Sequence, residues 1–411
     1  MNASFALPAL LETLPAVQSD AAAAFPRGLE AVVAAAATHA ASVDAEARLP
    51  IEALQAMRRE RLLSLLIPTE YGGGGSSLFE TASICHALGQ ACASSAMVFA
   101  MHQIQVACLV DHAQSSPWHR ALLTRAASEQ LLMASVTSEA GTGGNIHASI
   151  CAPQFVGGRL ILEKDAPAVS YGAAADVLLI TCRRNEAAAP SDQLLMAALS
   201  GDCQLERKSV WNPLGMRGTC SDGFHVRVEA GAEQLLPTSY GEIASVTMLP
   251  VSHLVWSGVW LGIATDAVTR MRGFLRQQSR LGVQVPGTAL GRLTQAVGLL
   301  QALQARLAVM LRSYDTQVAA QGARNGTPTA LPMSFTAEMN TLKISVSEGC
   351  LEVLNHAFHV CGISGYRNDG PFSVGRHLRD LQSAPVMISN DRILENTASL
   401  LLLQKPALGL F

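Results

Sequence analysis

A chain of 411 residues, 49% hydrophobic and 15% charged, has the composition of a globular protein with a large buried core, not that of a disordered one. Its formal net charge of −3 carries no basic excess, so a nucleic-acid backbone finds no electrostatic footprint. The nine cysteines are odd in number and form no Cys-x-x-Cys pair, which fits reduced thiols in a cytoplasm.

No lysine or arginine precedes Arg27, so the charged region of a secretory signal is missing and the chain reads as cytoplasmic. From Ala21 to Gln130, Ala, Leu, Met and Gln dominate, with apolar residues at three- and four-residue steps, which predicts helices. Pro68 and the run Gly72 to Gly75 predict a structural turn between two of them, since no Gly-Lys-Ser/Thr follows to make a phosphate loop. From Leu132 the texture changes to short β-prone runs: 134–137, 159–162, 176–181, 194–197 and 224–228. Gly and polar clusters between them, including a hairpin loop over 183–192, predict an antiparallel domain. Helical periodicity returns at Ile243 and continues to the end, apart from an expected interhelical loop from Gln321 to Pro332. The apolar stretch Met248 to Ala264 contains Pro250 and His253 and is short for a bilayer span, so it predicts a core helix and no membrane partner. The expected organisation is therefore α+β: a helical domain over 1–131, a β domain over 132–242 and a helical bundle over 243–411.

Several segments, in order, carry a family pattern. They are Leu66-Ile-Pro-Thr-Glu-Tyr-Gly-Gly73, Ser135-Val-Thr-Ser-Glu-Ala-Gly141, Leu214-Gly-Met-Arg-Gly-Thr219, Cys361-Gly-Ile-Ser-Gly-Tyr366 and Arg379-Asp380. Together they resemble acyl-CoA dehydrogenases from about Leu49 to Leu402. The resemblance implies that family's fold, with an N-terminal helical domain, a central antiparallel β domain and a C-terminal four-helix bundle. It also implies FAD between the β domain and the bundle, completed across a homodimer or homotetramer. Val136 and Thr137 then fall against the flavin pyrimidine edge and Ser170 near the reactive ring nitrogen, where donors offset charge arriving with hydride. Ala168 stands where many members place a tryptophan, and Arg280 stands in for a pyrophosphate-binding arginine in shifted register. Gly362, Ser364 and Gly365 are expected beside the adenosine, with Asn390 also on the cofactor side.

The departure that matters lies eight residues after Asp380, where the family commonly carries its catalytic glutamate and this chain has Ile388. Removing the α-proton of an acyl thioester takes a base, and a carboxylate in a dry pocket is the usual one. Some members carry that base on the first bundle helix, where this chain has Ser252 followed by His253. His253, with its near-neutral reference pKa, is the candidate base, against the plainer reading of a hydrogen-bonded core histidine. His102, Ser252 and Met387 are the expected substrate contacts. Asp391 and Glu395 lie one and two turns beyond the base position, Glu139 is shifted from the family's Thr-Glu pair, and the cysteines and histidines show no metal-ligand spacing.

Three functions stay open on these residues. The first is α,β-oxidation of an acyl thioester, on CoA or an acyl carrier protein, with electron-transfer flavoprotein or oxygen as oxidant. The second is a flavin-dependent monooxygenase of the same fold, which needs no α-proton base. The third is a non-catalytic binding or scaffold homologue.

Overall fold

The computed structural model describes residues 28–322 and 331–403. Among the described residues, five helices come first: α1 (Leu29–Glu46), α2 (Ile51–Arg59), α3 (Leu78–Ala91), α4 (Ala93–His112) and α5 (Pro117–Glu129). Their starts are written locally. Ser77 and Glu80 form a reciprocal capping box on α3, and Ser116 caps α5 ahead of Pro117. The glycine run before α3 is steric: a Cβ on Gly73 would sit 2.0 Å from the Ile67 carbonyl oxygen.

Seven strands follow, β1 (Met133–Val136), β2 (Gln154–Val156), β3 (Arg159–Ala166), β4 (Val177–Arg183), β5 (Gln193–Leu199), β6 (Cys203–Ser209) and β7 (Gly223–Ala230). They form two sheets, β1-β4-β5 and β2-β3-β7-β6. Every pairing is antiparallel except β1 with β4, which run parallel from Met133↔Val177 to Val136↔Ile180. The hairpin over 183–192 joins β4 to β5 as expected. β2 and β6 carried no readable pattern, because all of β2 and most of β6 face solvent.

The C-terminal part holds α6 (Tyr240–Ile243), a π-helical turn over Ala244–Met248, and the long helices α7 (Leu249–Arg280), α8 (Gly287–Gly322) and α9 (Met333–Cys361). Short α10 (Ile363–Tyr366) and α11 (Gly375–Leu381) precede α12 (Asn390–Leu402). α7, α8 and α9 pack against one another, α12 lies on α9, and α3 crosses α7. The expected loop from Gln321 starts slightly late, since α8 runs through Gly322, and residues 323–330 lie outside the described part. α4 and the stretch 240–280 are apolar and long enough to cross a bilayer, yet 89% and 94% of their apolar windows are buried inside the protein. They are core helices.

Candidate active site

A cavity of about 520 Å³ lies between the β1–β2 loop, the start of α7, the first turns of α9 and the segment entering α12. Met387 and Ile388 form part of its wall together with His253, Asn340 and Arg392, beside the apolar side chains of Leu249, Met339 and Ile393. Among the described residues no carboxylate lines it. Asp391 and Glu395 are exposed on α12 and absent from the wall.

Ile388 is held in place from behind. The Lys343 ammonium, fully buried on α9, donates to the Ile388 carbonyl oxygen and to Asn390 Oδ1, each at 2.6 Å. Asn390 Nδ2 in turn donates to Ser347 Oγ and Glu348 Oε1, both at 3.1 Å. The Asn390 side chain is thus consumed in fixing α12 on α9, which corrects its expected role at the cofactor. Burial pulls Lys343 down to about 8, and its ammonium lies 5.8 Å from the Trp260 ring centroid.

His253 reaches the cavity but is a weaker base than its residue type promises. It is 3% exposed, its Nδ1 has no hydrogen-bond partner, and burial together with the Lys343 charge pushes its pKa down to about 3. The imidazole is neutral at any physiological pH. Ser252 is turned away, with its hydroxyl donating to the Met248 carbonyl at 2.5 Å, so it is no substrate contact. His102 is corrected as well. Its Nε2 bonds the Leu63 carbonyl at 2.7 Å and its Nδ1 accepts from the Met133 amide at 3.0 Å, tying α4 to β1 with neither nitrogen left for a ligand.

The expected flavin residues fall into two groups. At the end of β1, Ser138 Oγ donates to the Ala168 carbonyl at 2.7 Å, next to Thr137 and buried Val136. Ser170 Oγ lies 2.8 Å from Ser221 Oγ, which lies 2.9 Å from Thr219 Oγ1, and Thr219 donates to the Met216 carbonyl at 2.9 Å. Thr137 and Ser170 are half-buried and Ala168 is exposed, so the ends of β1 and β3 form an open shelf of hydroxyls and backbone groups. That donor set fits the polar edge of a flat heteroaromatic ring. The second group is exposed Arg280 at the end of α7 with Gly362 and Ser364 just past α9; a separate hollow of about 350 Å³ between the ends of those helices and the start of α8 is lined by their sequence neighbours Gln278, Val283, His359 and Val360 and not by these three. Gly365 has a packing reason instead: a Cβ there would meet Cys361 Cβ at 2.7 Å.

Glu139 is structural. Ser149 Oγ donates to it at 2.7 Å, the Cys151 amide at 2.7 Å, and the fully buried Lys164 ammonium stands 3.5 Å away. Burial alone would raise its pKa, and these partners hold it below the ordinary carboxylate range. The residues that sequence reasoning passed over are Asn340, Lys343 and Arg392. Lys343 had a signal: it falls on the stripe of Met339, Leu342, Val346 and Cys350 that α9 buries, an ammonium on an apolar face.

Residues 20–130 match the family model described as acyl-CoA dehydrogenase, N-terminal domain. The cyclohex-1-ene-1-carbonyl-CoA dehydrogenase of Syntrophus aciditrophicus (strain SB) is 22% identical over 361 residues, 87% of this chain and 83% of its own. A probable FMNH2-dependent monooxygenase of Pseudomonas putida, SfnC, is 23% identical over 336 residues, covering 80% of this chain and 82% of its own. FMN-bound TdsC of Paenibacillus sp. A11-2 superposes with a TM-score of 0.78 at 18% identity, over 92% of this chain and 97% of that one. The fold is that of the acyl-CoA dehydrogenases, shared with butyryl-CoA dehydrogenase of Megasphaera elsdenii at a TM-score of 0.76, 15% identity and 92% of this chain against 98% of that one, and the match to the family's N-terminal domain covers residues 20–130.

Proposed function

We propose that this protein is a soluble flavin-dependent oxidoreductase that carries out an oxygen-dependent oxidation in its cavity instead of α,β-dehydrogenation. One observation supports the reading: the cavity wall that holds Ile388, the residue the resemblance sets at the usual base position, has no carboxylate among the described residues, and the nearby His253 is held neutral with a pKa of about 3. A base that weak leaves most of the α-proton barrier of an ordinary acyl thioester in place. A bound flavin supplies two-electron redox chemistry and, once reduced, reactivity towards dioxygen. The hydroxyl shelf of Thr137 and Ser170 orients the ring edge. The apolar wall of Leu249, Met339 and Ile393 keeps water from the reacting centre, while Asn340 and neutral His253 offer hydrogen bonds without taking a proton. The cofactor is FAD if the Arg280 and Gly362 end is completed by a neighbouring subunit, and FMN if the hydroxyl shelf suffices.

A second reading, dehydrogenation of an acyl-CoA or carrier-protein thioester, is favoured by the 22% identity with a CoA-ester dehydrogenase over 87% of this chain. It requires a substrate whose own α-proton is acidic enough to do without a strong base. The test is the visible spectrum of purified protein, followed by two additions. Reduced flavin in air that consumes oxygen in proportion to an added acceptor supports oxygenation. Anaerobic bleaching by acyl thioesters overturns it in favour of dehydrogenation.

A further inference from the structure

A second and larger cleft, about 910 Å³, opens where α1, the end of α3, the loop before Arg217, α7 and α11 meet. It shares no lining residue with the cavity around Ile388. Four arginines line it, Arg217, Arg270, Arg376 and Arg379, against two aspartates, Asp44 and Asp266. All four are only half-exposed. Two are matched: Arg270 Nε lies 2.7 Å from Asp266, and Arg379 Nη1 donates to Asp44 at 2.9 Å.

The other two have no carboxylate partner among the described residues. Arg217 donates only to the Asp44 and Pro213 carbonyls and to Asn212 Oδ1, and Arg376 makes one long bond, 3.5 Å, to the Ala91 carbonyl. Buried Asp380 lies behind the wall near Arg376 and Arg379 and accepts the Met216 amide at 2.6 Å. Even with Asp380 ionised, one cation stays in excess. His377 adds a further vacancy: it is 5% exposed, its Nε2 meets Asp266 at 2.7 Å, and its Nδ1 has no partner. A partly desolvated guanidinium without a counter-ion is costly, and the planar forks of Arg217 and Arg376 match the oxygens of a phosphate.

We propose that this cleft binds a phosphate-bearing small molecule, held by the Arg217 and Arg376 guanidiniums. Its volume suits a ligand of nucleotide size. The site is independent of the oxidation assigned to the other cavity, since it neither uses nor touches those residues.

The probe is inorganic pyrophosphate, titrated into the purified, cofactor-loaded protein at constant ionic strength with adenosine monophosphate in parallel. Saturable binding with a Kd below about 1 mM is expected by calorimetry. Arg217→Gln combined with Arg376→Gln weakens it by roughly tenfold or more, whereas Arg392→Gln in the other cavity leaves it intact. Tighter binding of adenosine monophosphate assigns the site to a phosphate ester, and tighter binding of pyrophosphate assigns it to the free anion. Equal affinity in wild type and the double variant overturns the proposal, as does no saturation by about 10 mM. If the double variant fails to fold, Arg217→Lys and Arg376→Lys keep the charges and remove the forks. Unchanged affinity in both then overturns the proposal.

Discussion

The lysine under Ile388 gives the cavity its electrostatic character. Lys343 donates to the backbone of the residue that replaces the usual base, and its charge helps keep His253 neutral. A glutamate at 388 would face the cavity with that ammonium behind it. Ile388→Glu is therefore expected to raise anaerobic bleaching of bound flavin by acyl thioesters by about 100- to 10,000-fold, at some cost in Tm from a poorly solvated carboxylate. An unchanged bleaching rate in a folded variant would show that the base is not the missing part. His102 makes a different kind of prediction. Burial lowers its pKa from 6.5 to about 4, so between those values the unfolded chain takes up a proton that the native state refuses, and stability falls as the pH drops. In His102→Asn that loss is absent, and urea unfolding at pH 7 and pH 4 should show a pH dependence shallower than wild type by on the order of 3 kcal/mol. The remaining histidines and Asp380 are common to both proteins and cancel in the comparison.

Among the elements, α3 and α7 approach so closely that side chains are excluded between them. A Cβ on Gly262 would lie 2.3 Å from the His86 carbonyl oxygen, and one on Gly89 would lie 2.5 Å from that of Val259. Gly262→Ala must push two long helices apart, so its thermal unfolding midpoint should drop by an amount reflecting roughly 1–3 kcal/mol or more. Gly291→Ala on α8, where a Cβ meets nothing within 4 Å, should leave the midpoint level or slightly raised, and equal drops in both would refute the packing argument. Legibility in the sequence followed burial. The α3, α4 and α7 helices and the strands β3, β4, β5 and β7 bury faces or whole segments and declared themselves, whereas solvent-facing β2 and β6 did not. The parallel pairing of β1 with β4 is a long-range register, Met133 against Val177, that no local pattern encodes. The π-helical turn ahead of α7 was equally silent.

At the scale of the whole molecule, the cavity assembles from segments far apart in the chain. The Gly143–His147 stretch, His253, Asn340 and Ile388 each had only a local pattern, and it took the collinear order of motifs to place His253 and Ile388 in one region. The role of Lys343 and Asn390 in fixing that region became visible only through hydrogen bonds across α9 and α12. The apolar start of α7, Val251 to Ala264, is buried inside this chain, as expected of a core helix. Among the exposed apolar side chains, three lie at the far end of the same helix and beyond α9: Leu281 is 68% exposed, Ile363 72% and Tyr366 68%. Leu281 lies between Gln278 and Val283 in the chain and Ile363 shortly after Val360, and Gln278, Val283 and Val360 line the 350 Å³ hollow, so an interface covering these side chains would also approach that hollow. The protein is accordingly expected to sediment as a dimer or tetramer at micromolar concentration. Leu281→Asp with Ile363→Asp should shift it to monomer and, if the cofactor reaches that end, release flavin in step with dissociation. A wild-type monomer would overturn the assembly. A dissociated variant that keeps its flavin would confine the cofactor to the hydroxyl shelf of Thr137 and Ser170, as FMN requires and FAD does not.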